Sequence, residues 1–393
     1  MKKLVFIVKV TDACNLRCKY CYNSCLGYKG NVLSLENFEK ALKLFPYNYT
    51  NVDIIWHGGE PMLCGVDYYE KAMAIEKEIM QKYPITIANR IQTNGTLIDK
   101  KWVKFFKKND FKVGISFDGV DNEEYRGLTE KTLNGMELLK KSGVGFASIA
   151  VCASPEYDLV ENYELFKKMQ VGVDFSAVYN EGGGKDLQDR SANKFASDMC
   201  SLFDHWLYDT NGVDVRTFST FMLMALGKGY KICNYCSCHG KFLCIDSVGN
   251  FYNCARSSMQ DYLLGNVNEV EKIDELWHSE GFARLLKGAI ERRNKCKDCE
   301  YFSVCQSNCS DTAIFEKGLN NIAEEACLRF KVLFSYIKEK TLKILEEKVD
   351  LSKLNPAVKK AFTKCFTISN NAIIARDMES YEWDVEDNSR VCH

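Results

Sequence analysis

The chain has 393 residues, of which 52 are Lys or Arg and 53 are Asp or Glu, so its formal net charge is −1. This length accommodates two or three domains with large cores. The near-neutral balance lacks the basic footprint of a nucleic-acid binder, and no apolar run suits a membrane span or a signal peptide. We therefore expect a cytoplasmic enzyme-sized protein, with neither nucleic acid nor a membrane as a partner.

Six predicted strands dominate the first half of the chain, where β-branched or aromatic runs alternate with amphipathic stretches. This alternation is typical of βα units that carry a parallel sheet. The strands are predicted at residues 4–10, 52–56, 85–92, 111–117, 145–151 and 171–178. Ser34 predicts the N-cap of a helix, and residues 97–109 predict another from apolar side chains three and four apart. The expected fold class is α/β, with a partial (β/α)6 TIM barrel.

The character of the chain changes after these units. Residues 181–190, with three glycines and mixed charge, are typical of a surface loop. Residues 242–254 predict a hairpin with its turn at 247–250, inside a cysteine-rich stretch. A charged amphipathic helix is predicted at 331–348, before an acidic tail. We therefore expect a barrel domain at 1–230, a small cysteine-rich domain at 231–330, and a C-terminal helix and tail at 331–393.

The 19 cysteines indicate metal ligands rather than disulfides, because the chain has no export signal and their number is odd. Cys14, Cys18 and Cys21 stand directly after the first predicted strand, with the spacing C-x3-C-x2-C. Three thiolates so close together can hold one iron-sulfur cubane and leave one iron open, whereas such clusters normally take four cysteines. A zinc site that uses Cys25 as its fourth ligand is the alternative.

The cysteine triplet resembles the signature of the radical S-adenosylmethionine (SAM) superfamily. The resemblance implies a [4Fe-4S] cluster whose open iron binds SAM, and reductive cleavage of SAM to a 5′-deoxyadenosyl radical. Gly58, Gly59 and Glu60 are similar to the GGE motif of that family, which implies that Glu60 accepts hydrogen bonds from the SAM ammonium. The other positions that resemble the SAM-binding residues of the family are Tyr20, Gln92, Asn94, Ser116, Asp118 and Arg126. Most of these motifs lie at the carboxyl ends of predicted strands, where barrel active sites form. Two interpretations of His57 remain open: it either faces the substrate or packs at the end of its strand.

A second cysteine array resembles the SPASM domains that follow radical SAM barrels in peptide and protein maturases. The matching positions are Cys238, Cys254, Cys296, Cys299, Cys305, Cys309 and Cys327. The resemblance implies two auxiliary [4Fe-4S] clusters, with Cys296, Cys299, Cys305 and Cys327 on one of them. It places Cys238, Cys254 and Cys309 on the other, with an upstream cysteine as the fourth ligand. Cys233 fits that position best, followed by Cys236 and then Cys244, and a pair of zinc ribbons is the alternative reading of the whole array.

The chain resembles maturases that act on polypeptides, including anaerobic sulfatase-maturating enzymes, over roughly residues 4 to 335. In those sulfatase maturases an aspartate that acts as a base follows the hairpin cysteine, whereas this chain has Ala255 after Cys254. Formylglycine synthesis needs a proton acceptor beside the substrate radical, and alanine cannot supply one. The sequence therefore favours a radical SAM oxidoreductase that forms a thioether or cyclophane-like crosslink in a ribosomally made (RiPP) peptide. Formylglycine formation in a sulfatase is the alternative.

The expected partners follow from this reading. They are a precursor peptide and an electron donor such as flavodoxin or ferredoxin. Because only 13 residues precede Cys14, a leader would be recognised by a separate leader-binding protein, by the surface of the barrel and SPASM domain, or by the tail beyond Phe330. Within that tail the acidic aromatic segment 377–387 is a candidate surface, with a solvated terminus as the alternative. A non-enzymatic electron-transfer or zinc module does not explain the motifs at the strand ends. Small-molecule dehydrogenases of this type have truncated auxiliary domains, whereas the array here is full.

Overall fold

The computed structural model describes residues 3–26, 29–187, 191–228, 233, 238–256 and 258–376. The strands are β1 Lys3–Thr11, β2 Asn51–Gly58, β3 Thr86–Thr93, β4 Lys112–Ser116, β5 Phe146–Cys152, β6 Val173–Ala177, β7 Phe242–Ile245, β8 Asn250–Tyr252, β9 Gly265–Asn266, β10 Phe366–Ser369 and β11 Ala372–Arg376. The helices are α1 Leu35–Lys43, α2 Gly65–Lys82, α3 Lys100–Lys108, α4 Asn122–Tyr125, α5 Thr129–Lys141, α6 Leu159–Met169, α7 Ala192–Leu207, α8 Arg216–Ala225, α9 Ile273–Trp277, α10 Glu280–Cys296, α11 Phe302–Cys305, α12 Ser310–Glu316, α13 Glu324–Glu346 and α14 Pro356–Thr363.

One sheet positions the rest of the molecule. In the described part of the chain, nine strands form this sheet in the order β6-β5-β4-β3-β2-β1-β7-β8-β9. Strands β1 to β6 pair in parallel, each with the next strand along the chain. This confirms the α/β class and the six predicted strands. Because parallel strands end at a common edge, the motifs that follow them are brought together there.

Alternation along the strands explains which face is packed. Leu4, Phe6 and Val8 of β1 are fully buried, and Trp56 of β2 packs with its ring centre 5.0 Å from that of Phe38. The intervening residues of each strand point to the opposite face of the sheet. Lys9 belongs to that second set and is nevertheless 4% exposed. The interior of the barrel therefore holds buried polar side chains.

Helix starts follow their caps. Ser34 accepts a hydrogen bond from the backbone N–H of Asn37, which confirms the predicted N-cap of α1. Helix α3 begins at Lys100 rather than at 97, because the Asp99 side chain accepts from the N–H of Trp102 and sets the first turn there. Helix α13 begins at Glu324, earlier than predicted, and therefore includes Cys327.

No helix in the described ranges is long and apolar enough to cross a membrane.

The hairpin of the cysteine-rich part continues the barrel sheet. Strands β7 and β8 are antiparallel, which confirms the predicted hairpin. Strand β7 also pairs in parallel with β1, with Val5 opposite Phe242 and Val8 opposite Ile245. This pairing joins segments more than 200 residues apart, so no local sequence pattern predicts it. It fixes the hairpin cysteine Cys254 near the first cysteine segment.

The glycine-rich segment after β6 is packed, which corrects the expectation of a surface loop. Glu181 is 2% exposed, and the N–H of Gly183 donates to the carbonyl oxygen of Cys21 at 3.0 Å. A Cβ on Gly182 would lie 2.4 Å from that same oxygen, and a Cβ on Gly183 would lie 2.2 Å from the carbonyl oxygen of Lys19. The glycines therefore allow a close backbone approach rather than a turn in solvent. Residues 188–190 lie outside the described residues.

Candidate active site

The first three cysteines lie together in the segment that follows β1. Burial, with smaller contributions from Cys21, Asp118 and Cys14, raises the pKa of Cys18 to about 11 against the lowering effect of Arg126. Burial also raises the pKa of Cys14, with a further contribution from Cys21. Three thiols that influence one another in this way fit a shared cluster, whose irons compensate the thiolate charges that burial disfavours. The side chain of Cys25 lies outside the described residues.

Two glycines bring the end of β2 against this cysteine segment. The N–H of Gly59 donates to the carbonyl oxygen of Thr11, and the N–H of Glu60 donates to that of Ala13, both at 2.8 Å. A Cβ on Gly58 would lie 2.2 Å from the Thr11 oxygen, and one on Gly59 would lie 2.1 Å from the Ala13 oxygen. Any other residue would therefore push the two segments apart.

Glu60 is a buried carboxylate that is held from several directions. It is 1% exposed and accepts hydrogen bonds from the hydroxyl of Thr93 at 2.7 Å, the N–H of Asn94 at 2.8 Å and the N–H of Met62 at 3.0 Å. Burial raises its pKa, and these hydrogen bonds oppose that rise. An ionised carboxylate accepts about four hydrogen bonds, so one acceptor position is left for a cationic ligand. The arrangement fits the role that the family resemblance implies for Glu60.

A second polar network fixes the aromatic residue of the cysteine segment. The hydroxyl of Tyr20 donates to Asp118, and Nη1 of Arg126 donates to the same hydroxyl at 2.6 Å. Asp118 is fully buried and also accepts from the N–H of Val151 at 2.9 Å. Asp118 therefore lies behind Tyr20 and positions it, rather than lining the cavity itself.

These residues surround a cavity of about 420 Å³. The predicted positions that line it are Cys14, Cys18, Tyr20, Cys21, Gly58, Gly59, Glu60, Gln92, Asn94, Ser116 and Arg126. Gln92 donates from Nε2 to the Ser116 hydroxyl at 2.9 Å, and Gly114 leaves the room for its side chain. The cavity thus contains every predicted SAM-binding residue except Asp118.

The cavity extends beyond the predicted residues toward the cysteine-rich part of the chain. Tyr22 and His57 line its barrel side, and Asn308 and Thr312 line its other side. Burial and the charge of Lys9 lower the pKa of His57 to about 4, so its imidazole is neutral at ordinary pH. Asn308 and Thr312 escaped the sequence analysis because they flank a cysteine ligand set and carry no motif of their own.

Alanine follows the hairpin cysteine, and basic side chains surround it. The carbonyl oxygen of Ala255 accepts from Nζ of Lys9 at 3.2 Å. The next residue, Arg256, pairs with Glu181 and has its guanidinium 3.7 Å from the ring centre of Tyr179. Lys9 and Glu181 come from the barrel and were missed, because single charged residues in strands and loops are usually solvated.

Four cysteines of the second array surround one small cavity of about 30 Å³. They are Cys296, Cys299, Cys305 and Cys327. Burial raises the pKa of Cys305 to about 12, and the other three cysteines contribute to that rise. The structure therefore brings together the four side chains that the resemblance assigns to one auxiliary cluster.

The other auxiliary set gathers around Cys254. Burial raises the pKa of Cys254, and Asp311, Cys233 and Cys309 add to that rise. Cys244 instead lies on β7 and donates its thiol to the carbonyl oxygen of Ile245 at 3.7 Å. The arrangement therefore favours Cys233 over Cys244 as the fourth ligand.

The remaining candidates are placed as follows. Cys236 lies outside the described residues, and Cys238 accepts from the side chain of Asn253 at 3.5 Å. In the described ranges, no three His, Cys, Asp or Glu side chains converge closely enough to hold one single metal ion. A four-iron cluster instead places each of its thiolates on a different iron.

Two family descriptions match this chain. The radical SAM superfamily matches residues 8–158, and the SPASM iron-sulfur cluster-binding domain matches residues 236–300. The chain is 30% identical to the serine-type anaerobic sulfatase-maturating enzyme of Bacteroides thetaiotaomicron, over 82% of this chain and 87% of that protein. It is 28% identical to the cysteine-type enzyme of Clostridium perfringens, over 86% and 96%. It is 24% identical to the radical SAM cyclopropyl synthase TigE of Paramaledivibacter caminithermalis, over 88% and 76%.

Solved structures agree with these relatives. Native anSMEcpe with bound AdoMet and Cp18Cys peptide is similar with a TM-score of 0.76 and 25% identity, over 88% of this chain and 99% of that chain. Streptococcus suis SuiB bound to S-adenosylmethionine has the same fold, with a TM-score of 0.61 and 17% identity, over 82% and 76%. The cofactors are SAM, the [4Fe-4S] cluster that binds it, and two auxiliary [4Fe-4S] clusters. The chain belongs to the radical SAM superfamily, as an enzyme whose barrel is followed by a SPASM domain.

Proposed function

We propose that this enzyme oxidises a cysteine residue of a polypeptide substrate to formylglycine. The observation that carries this proposal is the likeness to sulfatase maturases over nearly their whole length, barrel and SPASM domain together. That likeness reverses the order favoured by the sequence analysis, in which the formylglycine reaction was the alternative. The cyclopropyl synthase TigE and SuiB are more distant.

The residues at the strand ends would hold the cofactor. Glu60 has an acceptor position left for the SAM ammonium, and Arg126 carries donors suited to its carboxylate. When bound, the reduced cluster and SAM supply a 5′-deoxyadenosyl radical that removes a hydrogen atom from the substrate. Tyr20, held by Asp118 and Arg126, would keep this end of the cavity in place.

The remainder of the cavity would hold the polypeptide residue to be oxidised. Its walls come from both domains, since His57, Asn308 and Thr312 all line it. Apolar side chains, including Met199 and Phe221, also line it. A relative with this fold binds a Cp18Cys peptide, which supports a peptide as the occupant.

Because alanine at position 255 cannot act as a base, a cysteine substrate is more consistent with this site than a serine substrate. The side chain would lose one hydrogen atom, one proton and one electron, which leaves a thioaldehyde that water converts to formylglycine and hydrogen sulfide. The electron would pass to an auxiliary cluster. Because a thiol has a pKa of about 8.5, it gives up its proton far more readily than a hydroxyl. Lys9, hydrogen-bonded to Ala255, adds positive charge that favours a thiolate nearby.

Crosslinking of a precursor peptide is the second candidate, and Ala255 is the specific observation that favours it. Without a carboxylate at this position, the substrate radical would couple to a thiol or an aromatic ring, with one electron passed to an auxiliary cluster and one proton released. A separate leader-binding protein belongs to this candidate. For both reactions we propose a flavodoxin or ferredoxin as the electron donor.

Mass spectrometry of the products separates the two candidates. Reconstituted enzyme, SAM and reductant would be incubated without oxygen with a cysteine peptide and with its serine counterpart, and deoxyadenosine would be counted alongside. We expect the cysteine peptide to lose two hydrogens, to exchange its sulfur for oxygen and to react with a hydrazide probe. A peptide lighter by two hydrogens that lacks a reactive carbonyl would instead support crosslinking. Deoxyadenosine without any peptide change would contradict both candidates for these peptides.

A further inference from the structure

Arg292 is a fully buried cation in the SPASM domain. It lies on α10 and is 1% exposed. Its Nε donates to the carbonyl oxygen of Ser307 at 3.1 Å, its Nη2 donates to the hydroxyl of Ser310 at 2.8 Å, and its Nη1 donates to the carbonyl oxygen of Leu319. All three acceptors are neutral. Within the described part of the chain, no carboxylate forms an ion pair with this guanidinium.

Such a cation needs a source of negative charge. Burying a charge without an opposite partner is costly, and neutral acceptors satisfy its N–H groups without cancelling its charge. The groups that act on Arg292 with opposite sign are the thiols of Cys309, Cys296 and Cys238, which oppose the lowering of its pKa by burial. Cys309 and Cys238 belong to one proposed ligand set, and Cys296 belongs to the other. Arg292 therefore lies near ligands of both sets, since Cys296 follows it four residues later on α10 and its hydrogen-bond acceptors Ser307 and Ser310 lie on either side of Cys309.

We propose that Arg292 is the shared counter-ion of both auxiliary clusters and a positioning residue for electron transfer through the SPASM domain. A cubane with four thiolate ligands is an anion, and its reduction adds one more negative charge. A buried guanidinium favours the reduced state and raises the reduction potential of each cluster that it faces. This inference rests on the auxiliary clusters, and the identity of the substrate does not enter it.

The hydrogen bonds of Arg292 add a second effect. Ser307 and Ser310 lie on either side of Cys309 in the chain. Cys309 follows Cys305 of one ligand set in the sequence but belongs to the other set, with Cys238 and Cys254. If Arg292 had a purely structural role, only its hydrogen bonds would matter, and its charge would not affect the reduction potentials of the clusters. The two roles differ in their effect on potential, because only a charge acts on a cluster of either set without touching its ligands.

The test uses full-length enzyme in which Cys14, Cys18 and Cys21 are replaced by Ala, so that the auxiliary clusters alone contribute to the spectrum. Arg292→Lys keeps the charge, whereas Arg292→Gln removes it. Arg293→Gln is the matched control, because Arg293 is adjacent on α10 and its Nη2 donates to the side chain of Gln306. Electron paramagnetic resonance at poised potentials reads both clusters, and iron analysis reports their retention.

We expect Arg292→Gln to lower both potentials, so that the ratio of reduced to oxidised cluster at a fixed potential falls roughly tenfold for each. Arg292→Lys and Arg293→Gln should leave both ratios close to the starting protein. A shift confined to one cluster, no shift, or equal shifts in Arg292→Gln and Arg292→Lys would overturn the proposal. Should Arg292→Gln lose its iron, a large shift of both clusters in Arg292→Lys would overturn it. No peptide is present, so a failure here is separate from a failure of the proposed reaction.

Discussion

Nζ of Lys9 donates a hydrogen bond to the carbonyl oxygen of Ala255, 3.2 Å away. The two residues are 246 positions apart, one on the first barrel strand and the other directly after the hairpin cysteine. The same ammonium donates to the hydroxyl of Ser258 at 3.3 Å. A side chain introduced at position 255 would therefore enter the neighbourhood of a buried cation, at the joint between the two domains.

Replacing Ala255 by Asp tests whether a missing carboxylate at this position limits the reaction. A carboxylate here can pair with Lys9 and accept a proton from the substrate, so we expect Ala255→Asp to speed formylglycine formation from a serine peptide by at least roughly a hundredfold. Product mass spectrometry measures the rate. Ala255→Asn is the matched control, since it has the same shape and no proton acceptor. Equal rates in the two variants would show that the position does not limit the reaction.

The cysteine triplet is the proposed ligand set of the cluster that binds SAM. Replacing Cys14, Cys18 and Cys21 together by Ala should abolish cleavage of SAM, because the open iron that binds it is lost. The auxiliary clusters should remain, since their proposed ligands lie in the SPASM domain. Deoxyadenosine release and visible absorption measure the two effects. Continued deoxyadenosine production would contradict the assignment of these three ligands.

Gly59 tests the packing of the SAM site. A Cβ there would lie 2.1 Å from the carbonyl oxygen of Ala13, so Gly59→Ala should displace the cysteine segment and weaken SAM binding at least roughly tenfold. Equilibrium dialysis with labelled SAM measures the affinity. Gly145→Ala is the control, because a Cβ there meets no atom within 4 Å. Similar losses in both variants would mean that the effect is not local.

The ion pair of Glu181 and Arg256 should contribute to stability. Their side chains are 3% and 12% exposed, so Glu181→Gln would leave a buried guanidinium without its carboxylate. We expect the free energy of unfolding to fall by about 3 kcal/mol in chemical denaturation. A double variant with Glu181→Gln and Arg256→Met should be less destabilised than the single variant. The reverse order would argue against a charge effect.

Glu76 should make stability depend on pH. This carboxyl is 2% exposed and accepts from Nδ2 of Asn89 at 2.6 Å, and burial raises its pKa to about 8. Since the folded pKa lies above the unfolded value, its contribution is fully present at low pH and is lost as pH rises through about 8. The Glu76→Gln variant lacks this carboxyl.

Urea denaturation of the wild type and of Glu76→Gln tests this dependence. From about pH 6 to about pH 9, the wild type should lose roughly 2 to 3 kcal/mol more than the variant. Parallel pH profiles for the two proteins would contradict the raised pKa. The same comparison at low pH should show little difference in slope, because below the unfolded pKa the carboxyl is protonated in both the folded and the unfolded protein.

The sequence alone determined the local parts of this protein. The six parallel strands, the N-cap of the first helix and the hairpin were predictable, because hydrophobic periodicity and turn residues act over short distances. The spacing of Cys14, Cys18 and Cys21 identified the radical SAM family for a similar reason, since all three of these cysteines lie within one short segment. The full SPASM array likewise followed from spacing.

The tertiary structure decided the contacts between distant segments. The pairing of β7 with β1, the packing of the glycines at 182–184 on the cysteine segment, and the contact of Lys9 with Ala255 have no local signature. The burial of Arg292 also has no local signature, because in the sequence it resembles any other arginine of a solvent-exposed helix. Burial gives such ordinary charged residues a strong influence on their surroundings, because a charge removed from water acts strongly on its neighbours. Whether a side chain is removed from water depends on the whole fold, and no short segment encodes it.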